Sequence, residues 1–113
     1  MPGKLTTHVL DTSRGVPAAG MKITIYRDGK FLHSGVTNRD GRLDAPLLSA
    51  DQFIAGNYQL EFGVGDYFGS KGDDGAKRFL DIVPIAFKIE DSGRDYHVPL
   101  LVSPWSYTTY RGS

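Results

Sequence analysis

Three histidines, His8, His33 and His97, and an arginine that follows a tight turn, Arg42 after Asp40-Gly41, carry the chemistry most usable near neutral pH in this 113-residue chain. A neutral imidazole, with an ordinary pKa of about 6.5, can take a proton from water. A guanidinium offers a rigid fork of donors to an oxygen that gains charge. A serine nucleophile is poorly served: there is no Gly-x-Ser-x-Gly elbow, and Ser113 has no following residue to donate an oxyanion-hole amide. Zinc is poorly served too, because the histidines fall in separate segments with none of the short spacings that mark metal motifs. Asp73-Asp74 lacks the remaining ligands of a calcium loop and reads as a solvated turn. No metal or other cofactor is expected.

Alternation decides which faces the histidines share. In Leu5 to Asp11, Leu5, Thr7 and Val9 point one way and Thr6, His8 and Leu10 the other. In Tyr96 to Leu101, Tyr96, Val98 and Leu100 share the better core face, which leaves His97 with Pro99 and Leu101. Taken singly, an outward histidine on a strand is a solvated surface residue, and Arg42 is a surface arginine. The leucines change that reading. Leu10 and Leu101 would leave the outer faces partly apolar, so another subunit is expected to cover them.

The elements that must position these residues are strands. Met21, Ile23 and Ile25 alternate with Lys22, Thr24 and Tyr26, and Asp28-Gly29 marks a hairpin turn into Phe31 to Thr37. Asn38-Arg39-Asp40-Gly41 supplies another turn. Tyr58, Leu60, Phe62 and Val64 form a further alternating run, as do Ile85, Phe87 and Ile89 before the turn at Asp91-Ser92-Gly93. Between those runs, Gly65 to Gly75 is glycine-rich and polar, and admits a loop or at most a short helix. Short strands at regular spacing predict an all-β sandwich of two antiparallel sheets, forming one domain over residues 1–113.

Composition narrows the partners. The 13 basic and 13 acidic residues cancel, so no general field draws nucleic acid or an anionic membrane. The chain has no cysteine, hence no disulfide or thiolate site. It has no stretch approaching the roughly 20 apolar residues of a membrane span and no secretory pattern at its start. Its end, Arg111-Gly112-Ser113, differs from a peroxisomal address. A cytoplasmic protein with a small-molecule partner is expected.

Leu5-Thr6-Thr7-His8-Val9-Leu10-Asp11-Thr12, Thr37-Asn38-Arg39-Asp40-Gly41-Arg42, His97-Val98-Pro99-Leu100-Leu101 and the terminal Tyr110-Arg111-Gly112-Ser113 together resemble the 5-hydroxyisourate hydrolase family of transthyretin-related proteins, over nearly the whole chain. The resemblance implies a transthyretin-like sandwich with one short helix in the Gly65 to Gly75 segment. It also implies a homotetramer whose active sites lie in a channel where two dimers meet. His8, Arg42, His97 and Ser113 are then the catalytic set, with Tyr110, Arg111 and Gly112 binding substrate and His33 outside it. The reaction implied is hydrolysis of a purine-derived ring at its six-membered lactam. Either of His8 and His97 can be the base, and Ser113 can act through its hydroxyl or its carboxylate.

The rival reading is a transthyretin-like carrier of small molecules with the same fold and tetramer. The carrier lacks His8, Arg42, His97 and the Tyr-Arg-Gly-Ser end as a set. Two departures from the family pattern stand out: the proline of Phe79-Leu80-Asp81-Ile82-Val83-Pro84 comes late, and Trp105 stands where a smaller or different residue is common.

Overall fold

The computed structural model describes residues 3–72 and 79–112. The first alternating run becomes strand β1, Lys4–Asp11, with Leu5, Thr7, Val9 and Asp11 buried and Thr6, His8 and Leu10 partly exposed. The last long run becomes β8, Tyr96–Val102, and β9, Tyr107–Thr109, returns beside it. Two short pieces, β2 at Val16–Pro17 and β5 at Leu48–Ser49, pair with opposite ends of β1 and complete the first sheet. The second sheet runs β4-β3-β6-β7, built from β3 at Lys22–Arg27, β4 at Lys30–Val36, β6 at Gly56–Gly63 and β7 at Ile82–Ile89.

The sandwich is as the alternation predicts, with one exception to antiparallel pairing. β1 and β8 run parallel, Leu5 facing Tyr96 through Asp11 facing Val102. Both strands enter the sheet from the same end, and the whole second sheet lies between them in sequence. A parallel neighbour needs such a long crossover, whereas a hairpin would force the antiparallel arrangement. The β3–β4 hairpin turns at Asp28 and Gly29, with φ of 51° and 81°. Two successive positive φ values are what a two-residue turn needs to match strand twist.

The inward residues of both sheets meet in one core, with Leu5, Val9 and Leu100 against Ile23, Leu60 and Phe62, all fully buried. Each such side chain contributes roughly 1.5–3 kcal/mol by leaving water. Val64 departs from the strand expected for it and begins helix α1, Val64–Ser70, which buries Val64, Tyr67 and Phe68 at helical spacing. This is the short helix that the family resemblance implies. Gly65 lies so close to Asp81 that a side chain there would collide with it. The late proline sits harmlessly on an edge strand: Pro84 is exposed on β7, where a missing N–H costs little. Asp73-Asp74 lies outside the described residues. No helix among the described residues is long and apolar enough to cross a membrane.

Asp11 ties the helix to β1. Its carboxylate is fully buried, yet it accepts from the Ser13 amide and hydroxyl, the Arg14 amide and the Tyr67 hydroxyl, at 2.6–3.1 Å, and pairs with Arg14 at 3.3 Å. Burial, the largest single influence, raises its pKa, but these donors together outweigh burial and hold it below the ordinary 3.8. The folded state therefore binds its proton more weakly than the unfolded chain. The stability it contributes is complete above the ordinary carboxyl value and is lost as pH falls through the depressed one. Asp11→Asn should lower stability by about 1–3 kcal/mol at pH 7, because an amide presents donors to a site full of donors. Urea melts at pH 7 and pH 3 check this, and the deficit should shrink at the lower pH.

Candidate functional site

The β1–β8 register sets Thr6 beside His97 and His8 beside Pro99, all on the outer face of the first sheet. His97 and His8 are thus diagonal neighbours. Both are partly buried, whereas Pro99 between them is buried even on this face. His33, on β4 of the opposite sheet, is exposed and takes no part.

The third contributor is the turn after β4. Thr37, buried, anchors its start: the hydroxyl donates to the Ala18 carbonyl at 2.6 Å and accepts from the Met21 amide at 2.9 Å. The Asn38 side chain then accepts from the Asp40 and Arg42 amides and donates to Asp44. This is an Asx-type turn, in which a side-chain amide stands in for backbone. Gly41, at φ 74°, receives the Val9 amide at 2.8 Å, and a side chain there would collide with the Val9 carbonyl. The turn is thereby fastened to β1 beside His8.

That fastening fixes a proton. His8 Nε2 lies 2.9 Å from the Asp40 carbonyl oxygen. A carbonyl only accepts, so Nε2 carries hydrogen and, in the neutral ring, the lone pair is on Nδ1. Arg42 is exposed, and its guanidinium makes no hydrogen bond or ion pair among the described residues. It lines a cleft of about 340 Å³ with Lys4, Thr6, Asp95, His97 and Gly112. A second cleft of about 210 Å³ shares Lys4, Thr6 and Arg42 and continues along residues 43–47.

His97 is the perturbed group. Burial, chiefly, and then electrostatic repulsion from Arg42 and His8 lower its pKa below the ordinary 6.5, while a backbone hydrogen bond at Thr6 opposes them. The Thr6 hydroxyl oxygen lies 2.8 Å from His97 Nδ1. The ring is therefore neutral at pH 7, next to a cation with donors to spare. Such an arrangement can accept a proton from water and hold an oxyanion.

The terminal residues divide. Gly112 bridges to His97, its amide donating to the His97 carbonyl at 2.7 Å. Arg111 turns away, its guanidinium 4.0 Å over the Tyr96 ring and 3.4 Å from the Asp95 carbonyl. Tyr110 is exposed and, with Arg111, lines a groove along β7 instead of the His97 cleft. Ser113 lies outside the described residues. Trp105 is exposed on the β8–β9 turn and is not among the residues lining the cleft. Lys4, Thr6 and Asp95 are cleft residues that sequence reasoning did not single out. Thr6 was within reach of it, being two residues from His8 on one strand face. Among the described residues no three His, Asp or Glu side chains converge as metal ligands.

The family model described as HIUase/Transthyretin family matches residues 5–112. A 5-hydroxyisourate hydrolase of Halalkalibacterium halodurans is 50% identical over 119 residues, covering 100% of both chains. Among solved structures, (S)-allantoin synthase superposes with a TM-score of 0.93 at 46% identity, over 99% of this chain and 44% of that one. This chain thus spans less than half of that protein. Klebsiella pneumoniae 5-hydroxyisourate hydrolase gives 0.86 at 36% identity, over 98% and 99% of the two chains. Sea bream transthyretin in complex with thyroxine gives 0.86 at 30% identity, over 96% and 94%.

The charge arrangement predicts the titration of His97. Its midpoint, followed by NMR, should fall below the ordinary histidine value, and Arg42→Gln should move it upward by removing a positive neighbour. A partly buried ring beside Arg42 also resists protonation more than the unfolded chain does. Its contribution to stability is therefore complete above the ordinary histidine pKa and declines as pH falls.

Proposed function

The chain belongs to the HIUase/Transthyretin family, and from that membership we propose that it hydrolyses 5-hydroxyisourate at the lactam of its six-membered ring. The product is 2-oxo-4-hydroxy-4-carboxy-5-ureidoimidazoline. The observation that carries this reading is a neutral His97 beside an uncommitted Arg42 in one cleft. Full-length relatives named as this hydrolase support it. Fold alone does not decide, since a thyroxine-binding transthyretin superposes as well as a hydrolase does.

In the proposed reaction His97 takes a proton from water as the oxygen attacks the lactam carbonyl. Arg42 holds the oxyanion through paired donors, which a lysine point charge cannot reproduce. The carbon–nitrogen bond then breaks, the proton passes to the leaving nitrogen, and a carboxylate remains. His8, anchored through Nε2 to the Asp40 carbonyl and not itself among the residues lining the cleft, acts by disfavouring a charge on His97. We assign Ser113 to orienting water or substrate and Gly112, which lines the His97 cleft, to substrate binding, whereas Tyr110 and Arg111, expected beside them, line the separate groove along β7. A homotetramer of two dimers completes the channel in this reading, and the half-exposed Leu10 and Leu101 on the histidine face are consistent with a covering subunit.

Urate and urate oxidase generate the substrate, and its ultraviolet decay reports turnover. The protein at micromolar concentration should accelerate that decay, and a rate no faster than spontaneous would leave only a shared fold. His97→Ala should cost roughly 10² to 10⁴ in kcat, the usual worth of a positioned base. Arg42→Lys should also fail, and wild-type turnover in it would reduce Arg42 to a bare charge.

A further inference from the structure

His8 and His97 differ in what holds them, and the difference bears on which tautomer each can adopt. The carbonyl opposite His8 leaves no choice. The Thr6 hydroxyl opposite His97 Nδ1 can give a proton or take one. If it gives one, the hydrogen of the neutral ring is left on Nε2 and no lone pair remains for water. If it takes one, Nδ1 carries the hydrogen and Nε2 is the base.

We propose that Thr6 is a positioning residue for the reaction, its hydroxyl accepting the Nδ1 hydrogen of His97 so that the Nε2 lone pair is free in the cleft. This rests on the reading of His97 as base. Three observations carry it. The parallel register seats Thr6 directly opposite His97, on the same face. Thr6 is β-branched and half-buried, so its hydroxyl has few rotamers and a fixed direction. The ring is also closed in from another side, because Gly112 lies so near that a Cβ on it would stand 2.6 Å from His97 Cδ2. Gly112 and the main chain thus fix where the ring sits, and the Thr6 hydroxyl selects where its hydrogen sits.

Thr6→Val keeps the branched shape and deletes the oxygen, whereas Thr6→Ser keeps the oxygen. In the valine variant kcat should fall roughly tenfold to hundredfold with KM little changed, the usual range for a group that orients an active residue. Loss of the acceptor should also move the acid limb of kcat/KM to lower pH. Nitrogen-15 shifts of the His97 ring should place hydrogen on Nδ1 in the wild type and a mixture of tautomers in the variant. Serine should restore all of these. Wild-type kcat in Thr6→Val would overturn the inference, as would a fall in kcat with tautomer and acid limb unmoved, which is mere structural damage. If His97→Ala retains turnover, the base reading itself fails. If His97→Ala is inactive and Thr6→Val is not, only the role of Thr6 falls.

Discussion

The parallel pairing of β1 with β8 is the constraint on which the site depends. It joins residues 91 apart in sequence, as the Thr6–His97 contact shows. Strand pairing has a side-chain period of two, so a one-residue slip of β8 would turn His97 into the core and Val98 onto the surface. The buried alternation of Leu5, Thr7 and Val9 against Tyr96, Val98 and Leu100 forbids that slip. Core packing therefore sets the placement of the polar face, although none of the core residues lines the His97 cleft.

Positive charge is concentrated on that face by design of the chain, not by net charge, which is zero. Arg42 arrives from a turn stapled to β1 through Gly41 and Asn38, and His8 is anchored to the same turn. The consequence falls on His97, whose neutral form is favoured because any proton it takes adds to existing positive charge. A base of lowered pKa is a weaker acceptor, yet its neutral form predominates at neutral pH. In the proposed reaction Arg42 compensates by stabilising the anion produced when that base acts.

Much of this was legible in residue order, and the exceptions have physical causes. The core faces of β1 and β8 follow from alternation, as does the exclusion of the histidines from the core. The β3–β4 turn follows from Asp28-Gly29. The parallel pairing could not be read, because each strand looks the same whichever way its neighbour runs. β2, β5 and β9 are too short to show a period. Val64 fitted the strand alternation, and only Tyr67 and Phe68, spaced for a helical face, draw it into α1. The sequence motifs single out His8, Arg42 and His97 as candidates, but the proton on His8 Nε2 depends on a main-chain carbonyl that no side-chain pattern announces. Thr6 is the case between: its face was readable and its partner was not.

The central claim is that β1 and β8 bring His8 and His97 together as one catalytic unit. Turnover measured around the cycle of His8→Ala, His97→Ala and the double variant tests it most directly. Residues that act as a unit lose their effect together, so the double variant should be little slower than the worse single variant. If the two losses instead multiply, each histidine works independently, and the shared site across the parallel seam is contradicted.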